Sequence, residues 1–172
     1  MYNCSMGTPL PKTLLVIPVY NHAATLRAVV LNALADRFPV LVVDDGSTDG
    51  GLDTVADLPV ARQRFPSNRG KGAAILAAAE LAKRSGCDAI VTIDADGQHD
   101  PADARRLLET AAASWPAVVI GARGMEDANA PRSSVFGRDF SNFWVRLECG
   151  HSLPDSQSGY RLYPVDFLLA GR

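Results

Sequence analysis

Ala89-Ile90-Val91-Thr92-Ile93-Asp94-Ala95-Asp96-Gly97-Gln98-His99-Asp100-Pro101 joins a short β-branched apolar run to the start of a helix. The run reads as a buried strand. It stops at two carboxylates two residues apart, and a helix follows, with Asp100 placed to cap it, Pro101 in its first position and Asp103 in its first turn. In an open α/β sheet, ligands collect outside the carboxyl ends of the strands. In extended chain, residues i and i+2 point to the same side, so Asp94 and Asp96 can face one small volume. Two carboxylates held close repel each other, and a hard divalent cation relieves that repulsion. An isolated D-x-D is also an ordinary polar turn, so its meaning depends on the rest of the chain.

Working outward, the same pattern recurs. Thr13-Leu14-Leu15-Val16-Ile17 is a continuous apolar strand ended by Pro18, and Asn21 is placed to cap a helix whose stripe is Leu26, Val29, Val30, Ala33 and Leu34. Val40-Leu41-Val42-Val43 is a second strand, closed by Asp44-Asp45-Gly46-Ser47-Thr48-Asp49-Gly50. A short helix over 51–57 and a strand over 60–65 follow. The turn-rich Asn68-Arg69-Gly70-Lys71-Gly72 can offer backbone N–H groups to a phosphate as it opens a helix with Ile75, Ala79 and Ala82 inward. After the Asp94 strand come a helix to about Ala113, a strand Ala117-Val118-Val119-Ile120, an aperiodic loop over 124–134 and an aromatic-rich helix over 135–147. The polar loop Asp155-Ser156-Gln157-Ser158-Gly159 precedes Tyr160-Arg161-Leu162-Tyr163 and a helical start. Continuous apolar strands alternating with helices indicate a mostly parallel sheet covered on both faces.

Composition fits a soluble globular domain, with 47% hydrophobic and 21% charged residues. Seventeen basic against nineteen acidic residues argue against a nucleic-acid binder. No apolar run approaches the roughly 20 residues that cross a bilayer, and the N-terminus is not a signal peptide. Cys4, Cys87 and Cys149 lack metal-ligand spacing and read as free thiols in a reducing cytoplasm. Residues 1–11 read as a flexible arm and 12–172 as one catalytic domain, its end just inside a helical start reading as a C-terminal truncation.

The strand ends share one edge, so Tyr20, the two Asp pairs and the cations Lys71, Arg123 and Arg138 can build one cleft. That inventory suits a nucleoside diphosphate with a divalent metal. Neither G-x-x-x-x-G-K-[ST] nor G-x-G-x-x-G is present at the expected places.

Val16-Ile17-Pro18-Val19-Tyr20-Asn21, Val42-Val43-Asp44-Asp45-Gly46-Ser47-Thr48-Asp49, Asn68-Arg69-Gly70-Lys71-Gly72 and Asp94-Ala95-Asp96-Gly97-Gln98-His99 occur in order. Together they resemble the family 2 glycosyltransferases with the A-type nucleotide-sugar fold. Asp96-Gly97-Gln98-His99-Asp100-Pro101 and Gln157-Ser158-Gly159-Tyr160-Arg161 bring the chain nearest the dolichyl- or polyprenyl-phosphate mannose and glucose synthase branch. The resemblance implies that Pro18, Tyr20 and Asn21 line the base pocket and Asp45 contacts the base, with Lys71 beside the phosphates. It places Asp94 on the ribose and metal side, with Asp96 and Gln98 completing the coordination of Mg or Mn. It places Arg123 and Arg138 on phosphate groups and Asp155 on the acceptor side. Gly97 departs from the pattern, standing where the family often has an apolar residue, and the sequence stops at Arg172, ahead of where the resemblance implies further acceptor contacts.

The implied reaction is inverting transfer of a hexose from a donor of the GDP-mannose or UDP-glucose type to a polyprenyl phosphate. It would take place in the cytoplasm or at the cytoplasmic membrane face, with peripheral membrane contact. A phosphate acceptor needs no general base, whereas a glycan or lipid hydroxyl would need one, for which Asp155 is the candidate. Two further readings are a nucleotide-binding module without turnover and a sugar nucleotidyltransferase. The second expects a Gly-rich, Arg-containing loop where this chain has Pro18-Val19-Tyr20-Asn21.

Overall fold

The computed structural model describes residues 10–121 and 158–170. Its elements are β1 (Thr13–Val19), α1 (Ala23–Ala35), β2 (Val40–Asp44), a 3-10 turn (Gly51–Val55), β3 (Ala61–Arg64), α2 (Lys71–Arg84) and β4 (Ala89–Thr92). A second 3-10 turn (Pro101–Asp103) then leads into α3 (Ala104–Ala112), β5 (Val119–Ile120), β6 (Arg161–Pro164) and α4 (Val165–Ala170). The sheet order is β3-β2-β1-β4-β6-β5.

The continuous apolar strands are explained by the two cores they serve. Leu15, Ile17, Val19, Val40, Val42 and Val91 point to one face, where α1 brings Leu26, Val29, Val30 and Ala33 and α3 brings Leu107, Leu108 and Ala111. Leu14, Val16, Leu41, Val43 and Ile90 point to the other, against Ala74, Ala78, Ala79 and Ala82 of α2 and Val165 of α4. Strand period two divides the residues between two faces, and both faces are dry. The inward stripe of α2 is centred on alanines, and Ile75 is only half-buried, a rotation from the expected face.

β1 runs through Pro18 to Val19 instead of ending before the proline. The carbonyl of Val16 accepts from Ile93 on the β4 side, and that of Val19 accepts from Asp45 on the β2 side. Alternation turns Pro18 toward β4, whose pairing with β1 ends at Val16 and Thr92, so the missing N–H interrupts no ladder.

The expected strand over 117–120 is reduced to Val119–Ile120. Arg161–Pro164 takes the place beside β4 and pairs antiparallel with both β4 and β5. β5 therefore runs in the same direction as β4, and Gly121 leaves the sheet at the carboxyl edge. β6 enters at that edge, which brings Ser158 and Gly159 next to the end of β4. The loop over 124–134, the aromatic helix over 135–147 and residues 1–9 of the arm lie outside the described residues.

Candidate active site

The carboxyl edge of β1 and β2 is held by short polar side chains. Asp44, 1% exposed, accepts from the Ser47 N–H at 2.8 Å, and its other oxygen lies 3.3 Å from Arg64 Nε without hydrogen-bond alignment. The Asn21 N–H donates to Ser47 Oγ at 3.0 Å, and Asn21 Oδ1 accepts from the Thr48 N–H at 2.9 Å. Asn21, with φ of 57°, is thus a strut between two strand ends and does not cap α1. That cap comes from another segment: Asp49 accepts from the Ala23 N–H at 2.8 Å and from the Gly51 N–H at 3.0 Å. These two bonds hold its carboxyl below the usual carboxylate range.

Asp45 follows the end of β2 and is 4% exposed. Its two oxygens accept from the N–H groups of Arg69 (2.7 Å) and Gly70 (2.8 Å). The glycine-rich loop therefore spends those amides on a carboxylate, not on a phosphate as expected from the sequence. Gly46, at φ +79°, makes this possible: a Cβ there would stand 2.5 Å from the Ser67 carbonyl carbon and 2.7 Å from the Asn68 nitrogen. The loop is fixed further by the Arg69 guanidinium, 4.8 Å above the Phe65 ring.

β4 ends at Thr92, so Asp94 and Asp96 both lie beyond the strand, Asp96 within a turn. They nonetheless line one cavity of about 420 Å³, together with Pro18, Tyr20, His22, Asp45 and Lys71. Asp94 forms an ion pair with Lys71 Nζ, Lys71 being the first residue of α2. The Gly159 backbone packs directly on the Asp94 carboxylate, leaving no room for a Cβ. Asp96 accepts from the Gln98 N–H at 2.9 Å across a turn in which Gly97 takes φ +78°. The Thr25 hydroxyl donates to the Ala95 carbonyl, tying α1 to the same turn. Asp100 caps the following turn through the Ala102 N–H at 3.0 Å, as its position before Pro101 suggests. His99 packs locally, its ring 5.1 Å from that of Tyr160. Tyr160 is buried and donates to the Pro101 carbonyl at 3.2 Å; burial, then Asp103, Asp100 and Asp36, push its phenol pKa up.

Of the residues expected to hold a donor, Pro18, Tyr20, Asp45, Lys71 and Asp94 share this cavity, while Asn21 faces the neighbouring turn. Gln98 is exposed, and its backbone N–H donates to Asp96. Among the described residues no three His, Cys, Asp or Glu side chains cluster as a ready metal site, so Asp94 and Asp96 supply hard oxygen donors that a ligand's oxygens would complete. Arg123, Arg138 and Asp155 lie outside the described residues. Sequence reasoning missed two participants. His22 is exposed and also lines the cavity, its place between the end of β1 and α1 being the available signal. Gly159 stands in the Gln157-Ser158-Gly159-Tyr160-Arg161 motif, but its contact with Asp94 arises only from the antiparallel entry of β6.

Residues 14–167 match the profile of Glycosyl transferase family 2. The chain belongs to this family. This family 2 chain is 32% identical over 171 residues to the polyprenol monophosphomannose synthase of Mycolicibacterium smegmatis, covering 93% of itself and 64% of that protein. It is 35% identical over 170 residues to the undecaprenyl-phosphate mannosyltransferase of Micrococcus luteus, covering 92% and 69%. It thus spans about two-thirds of the length of these relatives. Among solved structures, glucosyl-3-phosphoglycerate synthase from Mycobacterium tuberculosis, in complex with Mn2+, UDP and glucosyl-3-phosphoglycerate, superposes with a TM-score of 0.68 at 19% identity. That match covers 91% of this chain and 57% of the other, and it supports the A-type nucleotide-sugar fold expected from the sequence.

Proposed function

We propose that this chain carries the donor-binding half of an inverting, metal-dependent transferase. It moves a hexose, mannose or glucose, from a nucleoside diphosphate sugar to a polyprenyl phosphate. The observation that carries the reading is one cavity at the carboxyl edge of the sheet, lined by an aromatic ring, a lysine and the carboxylates of Asp94 and Asp96. Tyr20, 46% exposed, offers a ring face to a base. Asp45, fixed by two backbone amides, presents its remaining lone pairs to base N–H groups. Asp94 and Asp96 would hold Mg or Mn, which supplies charge neutralisation of the diphosphate leaving group. Lys71 takes phosphate charge at the start of α2. The acceptor phosphate is already anionic at neutral pH, so the described residues need supply no base. The names of the two relatives favour a lipid phosphate over a hydroxyl acceptor. No described helix is long and apolar enough to cross a membrane; the lipid acceptor named for the relatives is what supports contact with a bilayer at the cytoplasmic face.

The test is transfer of radiolabelled mannose or glucose from GDP-mannose or UDP-glucose into organic-extractable polyprenyl phosphate, with Mn or Mg present. Label in the lipid phase that vanishes with Asp96→Ala supports the reading. Label passing only to hydroxyl acceptors, or nucleotide binding without any transfer, would reject it.

A further inference from the structure

Lys71 stands at a junction. Its ammonium pairs with Asp94, its side chain is about half exposed, and it lines two cavities at once. One is the donor cavity. The other, of about 290 Å³, lies on the α2 side of the sheet and is lined by Gly72, Thr92, Gly159, Arg161 and Tyr163. The Gly159 backbone crowds the Asp94 carboxylate most closely at Oδ2, and Lys71 holds Oδ1. A divalent cation bound through that Oδ1, with Asp96 beside it, therefore competes with Lys71 for this one oxygen.

We infer that Lys71 is a displaceable counter-ion that couples metal binding to diphosphate binding. The inference rests on the donor-site reading above. A metal arriving alone must break the Lys71–Asp94 pair and leave the ammonium without a partner. A metal arriving with a nucleoside diphosphate breaks the same pair but offers the ammonium a phosphate oxygen within the same cavity. Lys71 therefore weakens the binding of metal alone and strengthens the binding of metal and diphosphate together. By linkage it tightens the diphosphate by the same factor when metal is present. No bond is made or broken beyond the exchange of ionic partners. Lys71 is in this respect a positioning residue that sets the order of assembly.

The experiment measures Mn2+ affinity by electron paramagnetic resonance of free Mn2+ on the full chain, without nucleotide and with saturating GDP or UDP. Wild type, Lys71→Met and Asp94→Asn are compared. Lys71→Met should tighten Mn2+ alone by about two- to fivefold, the range of an exposed ion pair. The same variant should lose part of the gain in Mn2+ affinity that the nucleotide confers on the wild type. A lysine serving only to hold α2 in place would not move the two measurements in opposite directions. Unchanged or weaker binding of Mn2+ alone in Lys71→Met, with wild-type binding intact and lost in Asp94→Asn, would overturn the counter-ion role and leave the metal site standing. Equal Mn2+ binding, or none, in all three proteins would overturn the metal site itself and the inference with it. A normal melting temperature and circular dichroism spectrum for Lys71→Met show that the comparison is between folded proteins, and Lys71→Gln provides a second variant that keeps a polar tip.

Discussion

Gly46→Ala is the substitution whose cost the structure specifies most closely. The backbone there holds φ +79°, a region that costs an L-residue about 1–2 kcal/mol. The added methyl would also stand 2.5 Å from the Ser67 carbonyl carbon and 2.7 Å from the Asn68 nitrogen. Both are backbone atoms that no rotamer change can move, so segment 67–70 must shift, and overpacking of this kind costs about 1–3 kcal/mol. The shift also lengthens the bonds from Arg69 and Gly70 to Asp45, a largely buried carboxylate in the cavity wall. The expected loss is about 2–5 kcal/mol, measured by urea unfolding. Gly46→Asn separates the contributions, because asparagine tolerates the left-handed region but still meets Ser67. It should recover less than half of the loss. If Gly46→Ala unfolds within about 0.5 kcal/mol of wild type, a typical surface substitution, the account of the Asp45 turn is wrong.

Gly159→Ala should leave overall stability nearly intact while weakening Mn2+ and nucleotide binding, because the methyl displaces the Asp94 side chain and not backbone; equilibrium titration of both ligands checks this. Acid stability follows from Asp49 and Asp57. The side chain of Arg27 holds Asp57 at about 2, through bonds of 2.6 and 2.9 Å, and backbone amides hold Asp49 low. Folded values below the unfolded value of about 3.9 mean that the unfolded chain binds more protons in that window. Their contribution is thus full above about pH 4 and falls away as pH drops toward 2. Arg27→Met should flatten the Asp57 part of that slope in urea unfolding at successive pH values, and the difference from wild type should shrink in high salt because both side chains are exposed.

The parallel part of the fold was legible because β1 and β2 carry unbroken apolar runs, residues 14–19 and 40–43, a pattern that a sheet buried on both faces rewards. The carboxyl-edge location of Asp45, Asp94 and Asp96 followed from the same reading. The rest depended on contacts between distant segments. Pro18 reads locally as a strand end, and only the side on which β4 stops pairing makes it harmless. Asn21 is a good cap by composition, but Asp49 reaches the amide first from 26 residues away. β6 is four residues of unremarkable pattern whose place beside β4 is set by tertiary pairing, and with it comes the Gly159–Asp94 contact. The role of Asp45 was half visible: its position pointed to the cleft, while its grip on the Arg69 and Gly70 amides required the loop in three dimensions.

In the proposed function, Tyr20, Asp45, Lys71, Asp94 and Asp96 act as one donor site. The most direct measurement is thermal unfolding against a panel of nucleoside diphosphates with and without Mn or Mg. A nucleotide at 100 times its dissociation constant adds about 2.7 kcal/mol, which for a chain of this size raises the midpoint by about 5–10 °C. Such a rise is expected for one base in the presence of metal, and its loss in Asp96→Ala. A folded wild-type protein whose midpoint no nucleotide moves, with or without metal, would contradict that reading.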